Sequence, residues 1–131
     1  MVIDTSALAA IFFHEPERER FRDAITTAHT RLISAATVLE AGIVIEGRRG
    51  SGAGREFDLF VVRASLQIVP VDAEQVDVAR SAWRKYGKGR HPAALNYGDC
   101  FAYALAKSTG EPLLAKGSDF VKTDIEVCFG S

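Results

Sequence analysis

Four carboxylates stand in apolar or small-residue frames along this chain. They are Asp4 in Val-Ile-Asp-Thr-Ser-Ala-Leu, Glu40 in Ala-Ala-Thr-Val-Leu-Glu-Ala-Gly-Ile-Val, Asp99 in Asn-Tyr-Gly-Asp-Cys-Phe-Ala-Tyr-Ala-Leu-Ala and Asp119 in Leu-Leu-Ala-Lys-Gly-Ser-Asp-Phe. Charged side chains are seldom buried unless something pairs with them. Acids that repeatedly interrupt core-like segments therefore imply a shared partner, and a divalent cation is the economical one. Converging carboxylates would raise one another's pKa values or push apart, a conflict that Mg²⁺ or Mn²⁺ removes. Hard cations of this kind take oxygen ligands, whereas zinc would call for a cysteine or clustered-histidine pattern that the chain lacks. The chemistry implied is metal-assisted attack on a phosphate.

Singly, each acid also has a structural reading. Asp4 and Asp99 both sit where a helix begins, so either could serve as a cap or a complement to the helix dipole. Asp119 follows Gly-Ser, a common turn pattern, and Asp124 in Thr-Asp-Ile is a cap, a turn residue or a further site member. Glu40 is harder to explain away, because Val38, Leu39, Ala41, Ile43, Val44 and Ile45 nearly surround it on a helical wheel.

The elements that must carry these acids follow from the patterning. A strand at Val2-Ile3 ends at Asp4, and a helix starts just after it. Glu15-Pro16-Glu17 opens a second helix, with proline in its first turn. Strands are expected at residues 31–34, 67–71, 112–115 and 125–127, and helices at 35–48 and 55–64. Asp72 caps a further helix whose apolar stripe is Val76, Ala79, Trp83 and Tyr86. A polar loop from Gly87 to Leu95 leads to a small-residue helix from Gly98 to Ser108. Short strands alternating with longer helices predict an α/β fold of three layers, with a central, mainly parallel sheet flanked by helices. Ligands of such sheets bind outside the carboxyl ends of the strands, which puts Asp4 and Asp119 on one rim.

The bulk properties bound the class. With 131 residues, 47% hydrophobic and 25% charged, the chain reads as one globular domain, residues 1–131. A formal net charge of −1 means that nucleic-acid contact must come from a local basic patch. There is no apolar run long enough to span a membrane and no basic leader, which predicts a cytoplasmic protein with no membrane partner. Cys100 and Cys128 are far apart and read as reduced thiols.

In the order and spacing of these motifs the chain resembles, essentially end to end, the PIN-domain ribonucleases, and within them the toxins of bacterial toxin–antitoxin pairs. The resemblance implies that Asp4, Glu40, Asp99 and Asp119 form the acidic site and that Asp4 and Asp99 are the metal ligands. Thr5 or Ser6 matches the family's hydroxyl beside the first aspartate, and Asp124 stands as the alternative to Asp119. It further implies an RNA substrate (tRNA or another structured RNA), Mg²⁺ or Mn²⁺ dependence, a homodimer and a cognate antitoxin, with a larger toxin–antitoxin assembly as an extension. In the mechanism expected from this set, Asp4 and Asp99 hold the ion, Asp119 assists, and Glu40 orients or deprotonates the attacking water.

Arg84, Lys85, Lys88 and Arg90, with Lys116 before Asp119, are candidate RNA contacts; the competing reading is solvated surface charge. Apolar residues of the first half (Ile11, Phe12, Phe13, Phe21, Phe57, Leu59, Phe60 and Val61) read as core or as a groove for an antitoxin helix. The alternative function is a non-catalytic PIN-like module that binds RNA or protein, for which loss of an acid would be the signature; none of the four is missing. A haloacid-dehalogenase-type phosphatase is disfavoured because its second aspartate would fall at Ser6.

Overall fold

The computed structural model describes residues 1–129. Strands β1 (Val2–Ile3), β2 (Leu32–Ser34), β3 (Gln67–Val69) and β4 (Leu113–Leu114) form one sheet in the order β3-β2-β1-β4, with every pairing parallel. Helices α1 (Thr5–Phe12), α2 (Arg18–Thr27), α3 (Ala35–Arg49), α4 (Ser51–Arg63), α5 (Ala73–Tyr86) and α6 (Tyr97–Thr109) supply the connections.

The three layers follow from the strands' two-residue period. Val2, Leu32 and Leu113 point to one face, where they pack with Ala79, Ala82, Tyr86, Ala102 and Leu105 of α5 and α6. Ile3, Ile33 and Leu114 point to the other and meet Leu8, Phe21, Ala41, Ile45 and Phe57 of α1 to α4. The expected α/β/α architecture with a parallel sheet is therefore present. No helix among the described residues is long and apolar enough to cross a membrane.

Several local expectations differ from what forms: the second helix begins at Arg18 with Glu17 as its cap residue, so Pro16 lies in the turn before it and not in its first turn. At 125–127 there is a single parallel bridge, Leu113 to Val127, rather than a strand, because β4 offers only two residues to pair with. On α5 the buried stripe is Ala79, Ala82 and Tyr86, while Val76 and Trp83 are exposed. Small residues set the contact of α5 with α6 and leave the two large ones at its edge. Finally, α4 begins at Ser51, where Gly50 at φ 90° makes the reversal out of α3 that a side chain would resist.

The topology selects the location of a site. The chain steps outward from β1 to β2 to β3, then returns to lay β4 on the opposite side of β1. The order reverses between β1 and β4, and in parallel sheets a crevice opens beyond the carboxyl ends at such a reversal. Asp4 is the residue after β1, and its amide donates to Leu114 O of β4 at 3.0 Å.

Candidate active site

Asp4 caps α1. Its Oδ2 accepts from Ser6 N at 3.0 Å and from Ser6 Oγ at 2.6 Å, and Ser6 Oγ in turn accepts from the amide of Lys116 at 2.9 Å. That chain ties the end of β1 to the loop after β4. Asp4 is only 3% exposed. Burial pushes its carboxyl up from 3.8 to about 6 against the pull of the Ser6 bonds, and the charges of Asp99 and Glu40 add to the rise.

Asp99 lies in the first turn of α6 and forms a reciprocal capping box with Asn96. Asp99 N donates to Asn96 Oδ1 at 2.9 Å, and Asn96 N donates to Asp99 Oδ2 at 3.0 Å. Burial raises its pKa, and Glu40 and Asp119 raise it further. Glu40, on α3, accepts from Thr5 Oγ1 at 2.5 Å through Oε1. Asp119, exposed in the loop after β4, stands directly before a 3₁₀ turn, Phe120–Lys122.

Carboxylates from four separate elements are thus linked by charge through Asp99 and Asp4: Asp99 feels Glu40 and Asp119, and Asp4 feels Asp99 and Glu40. The three on helix starts and on α3 share a pattern. Each fixes one oxygen to the protein (Asp4 Oδ2, Glu40 Oε1, Asp99 Oδ2) and has no hydrogen bond to the other from the described residues. Anchored carboxylates with a free oxygen apiece are the donor set that Mg²⁺ or Mn²⁺ takes. Among the described residues no three His, Cys, Asp or Glu side chains already close into a metal-holding group. The fit to a cation therefore rests on the chemistry of these donors and on the repulsion a cation would relieve.

Both hydroxyls beside Asp4 find an acid: Ser6 serves Asp4 and Thr5 serves Glu40. Asp124 goes elsewhere. It accepts from Tyr103 OH and, at 2.8 Å, from Lys107 Nζ of α6, and the bonds from Lys107 and Tyr103 hold its pKa below the usual carboxylate value. Lys116 is similarly occupied, its ammonium paired with Glu15 and, at 3.4 Å, with Glu17. Arg84, Lys85, Lys88 and Arg90 are exposed, and the Arg90 guanidinium lies 4.2 Å from the centre of the Trp83 ring.

The frames of the acids are less buried than their composition suggests. Only Asp4 is a core position. Beside Glu40, Leu39 and Ile43 are 66% and 63% exposed, and Tyr97, two residues before Asp99, is 82% exposed. The apolar residues around Glu40 divide between the core (Ala41 and Ile45) and the surface (Leu39, Ile43 and Val44). Sequence reasoning also passed over Gly98, which touches Glu40; a glycine directly before a site aspartate was the available signal.

The PIN domain model matches residues 1–126, and the chain belongs to that family. Ribonuclease VapC30 of Mycobacterium tuberculosis is 58% identical over 125 residues, covering 95% of each chain. Within the PIN domains the chain accordingly falls among the VapC ribonucleases. Two solved structures share the fold: M. tuberculosis VapC20, described as a sarcin–ricin loop cleaving toxin (TM-score 0.73, 17% identity, 91% of each chain), and a toxin–antitoxin complex from Klebsiella pneumoniae (TM-score 0.66, 17% identity, 91% of this chain and 88% of that one).

Proposed function

We propose that this chain is the toxin of a toxin–antitoxin pair, an endoribonuclease that hydrolyses phosphodiester bonds in tRNA or another structured RNA. The observation that carries the reading is the single rim of four carboxylates, three of them anchored by one oxygen with the other left to bind. Asp4 and Asp99 are assigned as the ligands of Mg²⁺ or Mn²⁺, and Asp119 assists them. When bound, such an ion lowers the pKa of water and offsets charge growing on phosphate oxygens. Glu40 accepts the proton of the attacking water through Oε2, while Thr5 holds its other oxygen in place. Ser6 keeps Asp4 turned toward the rim. Arg84, Lys85, Lys88 and Arg90 contact RNA phosphates, whereas Lys116, already paired, joins the two loops that flank the site.

The test is cleavage of total tRNA and of a structured RNA by purified protein, with Mg²⁺ or Mn²⁺ and with EDTA. Metal-dependent cutting that leaves 5′-phosphate and 3′-hydroxyl ends is expected. Cyclic-phosphate ends, or cutting that EDTA does not stop, would sink the mechanism. The same assay separates the two late acids. Asp119→Asn is expected to slow cleavage about tenfold, within the range seen when a supporting group of a metal site is removed, and Asp124→Asn to leave it within about twofold. Equal losses from both would overturn the choice of Asp119.

The antitoxin is assigned to the cleft of about 530 Å³ between α1–α2 and α4, whose lining includes Ile11, Phe12, Leu59 and Phe60 together with four arginines, Arg18, Arg22, Arg31 and Arg63, and one acid, Glu56. The first-half apolar set divides there: Ile11, Phe21, Phe57 and Val61 are buried, Phe12, Phe13 and Phe60 half-buried, and Leu59 exposed. Apolar side chains set among an excess of arginines suit an amphipathic helix that carries acids. A homodimer is assigned to the exposed apolar residues Leu39 and Ile43 of α3.

A further inference from the structure

We propose that Gly98 is a positioning residue: its bare α-carbon is the seat of the Glu40 carboxylate, and any side chain there drives that carboxylate out of line with Asp99. The inference rests on the ribonuclease reading of the acidic rim. A methyl group added at Gly98 would overlap Glu40 Oε2, and would stand 2.6 Å from the carboxyl carbon and 2.7 Å from Oε1. All three atoms of the carboxyl group therefore lie within the space that a side chain at 98 would fill.

Two observations separate this role from an ordinary structural glycine. First, the backbone does not require glycine. Gly98 is in the first turn of α6 and is not among the residues of positive φ, and alanine is the better helix former. Second, the collision falls on the end of a long, rotatable side chain rather than on backbone or core. The three nearest atoms that a methyl group would meet all belong to the Glu40 carboxyl, so that side chain is the first to give way. The α6 helix thus carries a weaker helix former at the point where a stronger one would cost only the placement of a carboxylate.

Glu40 cannot make that move without loss. Thr5 Oγ1 holds Oε1 from the start of α1, so the carboxylate is gripped between the first turns of the two helices that also bear Asp4 and Asp99. Retreat from position 98 either breaks the Thr5 bond or turns the carboxylate about that bond, away from its seat against α6. Both leave Oε2 out of place to accept a proton from water at the rim. A base displaced by about an ångström from its reacting partner can cost orders of magnitude in rate, so a loss of about tenfold is a moderate expectation.

The experiment compares wild type, Gly98→Ala, Glu40→Gln and the double variant in RNA cleavage at saturating Mn²⁺, with a thermal melt of each and Asp99→Asn as the site control. Gly98→Ala is expected to lower kcat about tenfold with KM within twofold, and to melt at or above wild type. In the Glu40→Gln background the same substitution should cost nothing further, because the group it displaces is no longer a base. Wild-type turnover by Gly98→Ala overturns the proposal, as does an equal loss in both backgrounds. So does a melting point well below wild type, since the collision would then fall on the fold. If Glu40→Gln cleaves normally while Asp99→Asn is dead, Gly98 has no base to position and only this proposal fails. If both cleave normally, the reading of the rim as the active site fails with it.

Discussion

Asp99→Asn is expected to cut RNA cleavage by about a thousandfold while the protein melts within a few degrees of wild type. The two halves of that result have different causes. The structural work of Asp99 is to accept the Asn96 amide in the capping box, and an asparagine oxygen can accept the same bond. Losing a negative charge near the start of α6 forfeits some dipole energy, but it also relieves repulsion from Glu40 and Asp119, both of which raise the Asp99 pKa. Those effects oppose each other and are each small.

The catalytic loss has no such offset. Asparagine takes away one of the two charges assigned to hold the ion, and with it stabilisation that is felt most as phosphate charge develops. A thousandfold corresponds to about 4 kcal/mol of transition-state stabilisation at 1.36 kcal/mol per tenfold. Cleavage of labelled RNA across a range of Mn²⁺ concentrations, beside a melt of the same preparation, measures both halves. Activity within tenfold of wild type at ordinary Mn²⁺ would show that the ion is not held by Asp99.

The legibility of this site in the sequence divides residue by residue. The parallel sheet could be read because its strands are short apolar runs separated by helix-length segments, and because the alternation of Val2 with Ile3 and of Leu32 with Ile33 matches two covered faces. Asp4 and Asp99 could be read because each opens a helix, so the element that holds them is written beside them. Glu40 was singled out by its apolar neighbours, yet Leu39 and Ile43 are surface residues. A helical wheel reports which residues surround an acid, and it cannot report which side of the helix another element covers.

The sequence leaves Asp119 and Asp124 as alternatives for a related reason. The choice depends on which partner each acid meets, and Asp124 meets Tyr103 and Lys107, 21 and 17 residues back along the chain, through contacts that no local pattern encodes. Lys116 and the α5 stripe fail in the same way. Composition gave a cation near the site and an apolar period, but Glu15 and Glu17 claimed the first, and the close approach of small residues on α5 and α6 turned Val76 and Trp83 outward.

Asp4→Asn is expected to make the metal-free protein more stable at neutral pH even as it removes a carboxylate proposed to hold the metal. Asp4 is almost wholly buried, and burial is the largest cause of its raised pKa, from 3.8 to about 6. An acid whose pKa is higher in the folded than in the unfolded chain binds its proton more tightly when folded. Its contribution to stability is therefore complete below about pH 4, and is lost as pH rises through about 6. The rise corresponds to about 3 kcal/mol at 1.36 kcal/mol per pH unit. Asparagine carries no charge to bury, and its oxygen can still accept from Ser6 N and Ser6 Oγ.

Urea unfolding in EDTA at pH 4.5 and pH 7.5 measures the difference. The gain from Asp4→Asn should be small at the lower pH and approach 2–3 kcal/mol at the higher, less whatever the amide group loses in fit. Added Mn²⁺ should then reverse the order, because a ligand that binds only the folded state stabilises it by mass action, and the wild type keeps the charge that binds. A variant less stable than wild type at pH 7.5 in EDTA would mean that the Asp4 carboxylate is paid for within the fold itself. A gain that Mn²⁺ reverses would mean that the cost of burying this charge is held in the apo protein and recovered when the cation arrives.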